Sequence, residues 1–398
     1  MRDNPAYEYL LKDFADKAGK KAGEFYTPAE VVRVCVEICD PQENMSVYDP
    51  TVGSGGMLIQ ARDYLRECGG DPQELALYGQ EKMGATWSIC KMNMLLHGIS
   101  HAVISQQDTL REPKHQADDG QLKRFDRVLA NPPFSQNYIK KDIKFPGRFP
   151  VWMPEKGKKA DLMFVQHMLA VLKADGRMAT VMPHGVLFRG GEEREARQYF
   201  IDKGYLEAVI GLPSNLFYGT GIPACILVIN KANAAQRNAV LFINADREYR
   251  EGKAQNHLRP EDIDKIVHAY RAGHDVDAYA RCVPLAKSRQ RITTATSADM
   301  SITRRYQSRT MCERICTAGC RLLKSMRCNI FGKTTRACVK VALYHAPWSN
   351  TLPITPISPW QFRISAPLPN TSTSTPAYCN GKRNLLNNCK IGGTSICR

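Results

Sequence analysis

The chain has 398 residues, 43% of them hydrophobic, and a formal net charge of +16 at pH 7, enough length for two or three domains and enough apolar surface for a core. Its start, Met1-Arg2-Asp3-Asn4-Pro5, has no apolar signal region and no uninterrupted apolar run approaches a bilayer span, which argues against a membrane protein and for a cytoplasmic one. The charge does not by itself point to nucleic acid: residues 289–398 hold 17 Lys or Arg against two acids, Asp299 and Glu313, leaving the residues before them at about +1.

Residues 1–22 read as a charged helical lead-in. After Glu24-Phe25-Tyr26-Thr27-Pro28 a helix begins at Ala29, with Val31, Val32, Cys35, Val36 and Cys39 at helical spacing. A strand over 46–48 closes on Asp49-Pro50 and the turn Thr51-Val52-Gly53-Ser54-Gly55-Gly56, and a helix follows over 57–68. The alternation continues with a strand over 75–79, a helix over 85–96, and strands over 102–106 and 127–130. Such alternation predicts an α/β fold, a mostly parallel, doubly wound sheet flanked by helices.

Past Phe134 the periodicity is lost until residue 160, and a loop of that length in a compact domain is usually functional, often a substrate lid. A helix over 161–172, a strand over 177–182, a helix over 192–203 and strands over 206–211 and 224–230 complete the sheet, so that 23–286 is one catalytic domain. From Lys287 the chain turns rich in Arg, Ser, Thr, Cys and Pro, and nine of its 14 cysteines lie from Cys282 onward. The tail 287–398 is either a disordered basic arm or a stretch out of frame. Codons for 287–303 can be chosen so that a neighbouring frame encodes a globular-looking string, which favours a frameshift near Ala286. Cys312, Cys316 and Cys320 lack the matching second half of a zinc site, and no metal is expected.

The chemistry concentrates where predicted strands end. Asn131-Pro132-Pro133-Phe134 leaves the strand over 127–130 with two fixed φ angles and no backbone donors at the prolines. The Asn131 side chain and the Pro132 carbonyl offer acceptors for a planar NH2 group, and Phe134 a ring face for stacking, a combination that suits adenine. The glycine-rich turn from Asp49 lies where open α/β sheets bind ligands, although such a turn can equally be a tight strand-to-helix connection. It is neither a P-loop nor a dinucleotide fingerprint. Glu81 ends the second strand, where a carboxylate could accept both hydroxyl hydrogens of a ribose or simply begin a helix in solvent. Asp108 follows the third strand, near an adenine amino group or as an ordinary turn residue. Together the three strand ends suggest an adenosine-bearing cofactor lying across the sheet.

In this order, Glu24-Phe25-Tyr26-Thr27-Pro28-Ala29, the block from Asp49 to Met57, Glu81, Asp108 and the Asn-Pro-Pro-Phe corner resemble the N6-adenine DNA methyltransferases, specifically the modification subunits of type I restriction-modification systems. The resemblance covers roughly residues 1–286 and implies the S-adenosylmethionine-dependent methyltransferase fold. It implies that Glu24, Phe25, Tyr26, Thr27, Pro28 and Ala29 border the methionine end of S-adenosyl-L-methionine, that Asp49, Gly53, Ser54, Gly55 and Gly56 form the cofactor turn, that Glu81 holds the ribose and that Asp108 lies near the cofactor adenine. Asn131, Pro132, Pro133 and Phe134 would receive a target adenine rotated out of double-stranded DNA. The segments 213–217 and 219–223 resemble the region whose aromatics wall the base pocket. Methyl transfer would be direct, with hydrogen bonds from both N6 hydrogens making that nitrogen more electron-rich and aiming it.

The partners implied are a specificity subunit and a restriction subunit. Modification subunits usually carry a helical domain before the first block and a helical segment after the catalytic domain. Here 1–22 is at most a remnant of the former. An inactive remnant that keeps the fold is therefore an alternative, as is a protein glutamine N-methyltransferase, since an amide NH2 fits the same corner.

Overall fold

A computed structural model of the protein describes residues 27–217 and 221–285. Nine strands form one sheet in the order β3-β2-β1-β4-β5-β7-β6-β8-β9. In chain order these are β1 (Ser46–Asp49), β2 (Ala76–Glu81), β3 (Val103–Gln106), β4 (Phe125–Ala130), β5 (Leu172–Pro183), β6 (Leu206–Gly211), β7 (Ala224–Asn230), β8 (Ala239–Asn244) and β9 (Ala280–Pro284). Strand β7 runs antiparallel to β5 and β6, and β9 antiparallel to β8, while all other pairs are parallel. The mostly parallel sheet is as expected.

Among the described residues six helices cover it: α1 (Ala29–Cys39), α2 (Gly56–Glu67), α3 (Gly84–Leu96), α4 (Asp161–Ala170), α5 (Glu192–Asp202) and α6 (Pro260–Ala272). The strands alternate their side chains between two cores. Val47 and Leu129 pack with α1, α2, α3 and α6 on one face. Tyr48, Val128 and Ala130 pack with α4 and α5 on the other. Covering on both faces is why all seven residues of β7, Ala-Cys-Ile-Leu-Val-Ile-Asn, are buried.

The sheet does not end at residue 230. Helix α6 and strands β8 and β9 follow, with Pro260 at the start of α6 and Gly273 at φ 63 closing it. The helix expected over 161–172 stops at Ala170, because Leu172 already pairs with Phe125 and begins β5. The next β4 pairing is Arg127 with Arg177, so residues 173–176 bulge out of the ladder and hide the strand period.

The long segment after Phe134 is packed down, not a loose lid. Phe149 and Met153 are each 3% exposed, and Gln166 of α4 bonds both the N–H and the carbonyl of Val151. Arg148, 4% exposed, donates to the carbonyls of Thr109, Leu110, Lys144 and Phe145 and to His167 Nδ1 at 2.7 Å. That burial pulls its guanidinium down to about 10. Residues 1–26 and 286–398, and with them the expected lead-in, the tail and its cysteines, lie outside the described residues.

Candidate active site

Parallel pairing brings the strand ends singled out in the sequence to one edge of the sheet. Asp49 lies beside Gly79, Glu81 beside Gln106, and Tyr48 beside Val128, so Asp49, Glu81 and Asn131 leave neighbouring strands in the same direction. The chain departs from β1 toward β2 on one side and β4 lies on the other, which makes this a topological switch point, the crevice where open α/β sheets bind ligands.

The turn after β1 is built around Gly53 at φ 53 and Gly55 at φ 91. A Cβ on Gly55 would lie 2.5 Å from Met94 Cε and 3.2 Å from Cys90 Sγ, on the side of α3, whereas one on Gly56 meets nothing within 4 Å. Gly55 is thus required by the fold, and Gly56 faces open space. Asn93 of α3 donates to the Ser54 carbonyl at 2.8 Å and fixes the turn from behind.

Asp49, 2% exposed, accepts from the Thr51 N–H at 2.9 Å. Burial raises its carboxyl to about 8, with the nearby Glu81 charge acting in the same direction. Glu81 accepts from the Gly53 N–H at 3.2 Å and the Met83 N–H at 2.9 Å, tying the ends of β1 and β2 together. Asp108 is a turn cap, accepting from the Leu110 N–H at 3.0 Å and the Arg111 N–H at 3.3 Å, and it pairs with Lys82 at 2.8 Å.

At the double-proline corner, Asn131 Nδ2 donates to Thr27 Oγ1 at 3.0 Å. Asn131 Oδ1 is buried and has no hydrogen-bond partner among the described residues. A buried acceptor left unpaired is costly and is usually matched by a donor. Phe134 meets Phe217 edge to face, with centroids 5.9 Å apart, so the segment after β6 reaches over to the end of β4. Glu24, Phe25 and Tyr26, and residues 218–220 of the second aromatic segment, lie outside the described residues.

Three features escaped sequence reasoning. The Thr27 hydroxyl engages Asn131, a pairing that no local spacing reveals. His184, at the end of β5 next to β4, keeps Nε2 buried and unpaired while its N–H donates to the Pro223 carbonyl at 3.0 Å, and burial lowers its imidazole. Asp161, 1% exposed, accepts from the Ser135 N–H at 2.7 Å. Its burial raises the carboxyl, against the lowering effect of that N–H and of Arg189.

The family model described as N-6 DNA Methylase matches residues 4–304. The chain belongs to the N-6 DNA methylase family. The chain is 34% identical over 300 residues to the type I restriction enzyme MpnII methylase subunit of Mycoplasma pneumoniae, across 72% of this chain and 54% of that protein. It is 36% identical over 299 residues to the type I restriction enzyme MjaVIII methylase subunit of Methanocaldococcus jannaschii, across 72% of this chain and 50% of that one. It therefore spans about half the length of the curated relatives it matches. Among solved structures, the methyltransferase subunit of a type I restriction-modification system from Streptococcus thermophilus superposes with a TM-score of 0.65 at 35% identity, covering 72% of this chain and 60% of that one. The sheet order and these neighbours make the fold that of the S-adenosylmethionine-dependent methyltransferases.

Proposed function

We propose that this N-6 DNA methylase is the modification subunit of a type I restriction-modification complex, transferring a methyl group from S-adenosyl-L-methionine to N6 of an adenine rotated out of double-stranded DNA. The observation that carries the reading is Asn131 Oδ1, a buried acceptor without a partner among the described residues, at the end of β4 beside the glycine turn of β1. An adenine amino group supplies the missing donor. The cofactor fits the neighbouring strand ends: open space at Gly56, a buried carboxyl at Asp49 and a second carboxylate at Glu81 suit a polar, cationic adenosine derivative. The residues that would hold it are Asp49, Gly53, Ser54, Gly55, Gly56, Glu81 and Asp108, with the block from Glu24 to Ala29 at its methionine end.

When bound, the cofactor supplies an electrophilic methyl. The chain supplies position and electron density. Asn131 Oδ1 and the Pro132 carbonyl each accept one N6 hydrogen, which withdraws that nitrogen's lone pair from the purine and aims it across the β1–β4 crevice. Thr27 accepts from the Asn131 amide nitrogen, which leaves the amide oxygen for the base. Phe134 offers a ring face for stacking, and Phe217 packs against it in an edge-to-face pair. The N6 proton leaves to solvent after transfer, and no general base is needed. A specificity subunit reads the sequence and a restriction subunit completes the complex, as expected for a relative of type I methylase subunits.

The test is transfer of radiolabelled methyl from S-adenosylmethionine to duplex DNA and, in parallel, to protein, with a type I specificity subunit added. Label on adenine N6 is expected. Cofactor binding without transfer would instead identify a remnant, and label on protein glutamine a protein methyltransferase.

A further inference from the structure

We propose that Asp161 is a positioning residue for the methyl-transfer corner, setting the direction of Phe134 by holding Ser135 in a left-handed backbone conformation. The inference rests on the reading of Asn131–Phe134 as the base-receiving corner.

Ser135 follows Phe134 directly and has φ 55, in the left-handed region that residues other than glycine occupy at a cost. The hold on it comes from the Asp161 carboxylate, 26 residues further on, at 2.7 Å from the Ser135 N–H. One residue along, the Ala160 N–H donates to the Gln136 carbonyl at 3.1 Å. The long segment between thus starts and finishes at one clasp, whose two strands are Ser135-Gln136 and Ala160-Asp161.

Asp161 is itself held. It occupies the first position of α4, where a helix favours an acid, and its second oxygen lies 3.3 Å from Arg189 Nη1. The same guanidinium nitrogen is 3.3 Å from Glu193 Oε1, and Glu193 Oε2 is 2.5 Å from Lys159 Nζ. Asp161 and Glu193 are 1% and 2% exposed, so two buried acids share two part-buried cations. Gly185 leaves the room: a Cβ there would run into the Arg189 guanidinium. Arg197 fixes the Arg189 backbone by donating to its carbonyl at 2.7 Å.

A charged network this deep is costly to bury and is a poor source of stability compared with apolar packing. Its geometry ends on one backbone amide beside the stacking ring. A displacement of about 1 Å at a reacting group costs on the order of a hundredfold in rate, which is the scale on which such a hold matters.

The experiment compares the full chain with Asp161→Ala, Asp161→Asn and Asp161→Ala/Ser135→Gly, measuring cofactor affinity by calorimetry, methyl transfer to duplex DNA with a specificity subunit added, and the 19F spectrum of fluorophenylalanine placed at 134. Asp161→Ala is expected to lower kcat by about ten- to a hundredfold with cofactor affinity within about threefold, and to broaden or shift the fluorine line. Asp161→Asn keeps an acceptor for the Ser135 N–H and should stay within about fivefold of the parent. Glycine adopts positive φ freely, so Ser135→Gly in the Ala background should recover part of the rate and the fluorine line, a rescue that loss of general stability would not permit. Parent-like kcat and an unmoved line in Asp161→Ala would overturn the proposal, as would equal loss of cofactor binding and transfer. If that variant does not fold, Arg189→Met serves: a several-fold loss of kcat at constant cofactor affinity supports the hold, and unchanged kcat and line overturn it. If the parent chain transfers no methyl to DNA but the fluorine line responds as stated, the methyltransferase reading fails while the hold on Phe134 stands.

Discussion

Asn131 and Thr27 meet through a single 3.0 Å hydrogen bond across 104 residues of sequence, in which the Asn131 amide nitrogen donates to the Thr27 hydroxyl. The two ends of an amide are nearly the same shape and opposite in hydrogen-bonding sense, so a receptor for an amino group needs its amide fixed. Thr27→Val should lower methyl transfer about tenfold and Thr27→Ser only slightly, with cofactor affinity within a few-fold in both. Asn131→Ala should abolish measurable transfer, again with near-parental cofactor affinity. Calorimetry beside a radiolabel assay separates these outcomes, and parallel loss of cofactor binding in Asn131→Ala would contradict the assigned role.

Neighbouring glycines of the β1 turn should respond in opposite ways. Gly55→Val combines a left-handed φ with crowding against Met94 and Cys90, and is expected to cost roughly 2–4 kcal/mol of stability. Gly56→Ala has neither problem, so its thermal midpoint should match the parent while cofactor affinity falls. Thermal unfolding with and without S-adenosylmethionine distinguishes a glycine needed by the fold from one needed by the ligand.

The buried Asp49 carboxyl predicts a pH dependence of stability. Its folded value, about 8, lies above that of an unfolded aspartate, so between these two values the folded chain holds the extra proton. Stability then falls as pH rises from about 4 to 8, and this contribution levels off once the carboxyl is ionised in both states. Glu81, Tyr48, Cys35 and Cys90 are the titratable groups that interact with it. Asp49→Asn removes the proton exchange and keeps an acceptor for the Thr51 N–H, so it should flatten this part of the profile. Chemical denaturation of both chains at pH 5 and pH 8 measures it. An equal pH 5 to pH 8 difference in the two would refute the assignment.

Arg148 pins the long segment after Phe134 through the carbonyls of Thr109 and Leu110 outside it and of Lys144 within it. Arg148→Ala leaves several buried acceptors unpaired and should cost about 3 kcal/mol. Limited proteolysis should then cut between 137 and 159, where the parent resists.

Much of the site was legible because its elements are local. A strand end, a glycine turn and a double proline each announce themselves within a few residues, and parallel topology then places them on one edge without further information. What the sequence concealed is what depends on distant partners. Asp161 looks like an ordinary helix-starting acid until Ser135 is placed against it, and the ties of Asp108 to Lys82 and to the Leu110 N–H are equally invisible in the sequence. The missed β8 had its signal, the run Ala-Val-Leu-Phe-Ile-Asn, but nothing local says whether a sheet has room for another strand. The true start of β5 was hidden by a bulge, which breaks the period on which strand reading depends.

The 104 residues between Thr27 and Asn131 also set a clock. A ribosome adding roughly 5–20 residues per second needs about 5–20 s to travel from one to the other. For most of that interval the nascent chain already carries its entire glycine turn but has no Asn131 amide to orient. The Asn131 amide can therefore be fixed only late in synthesis, when β4 slots in beside β1.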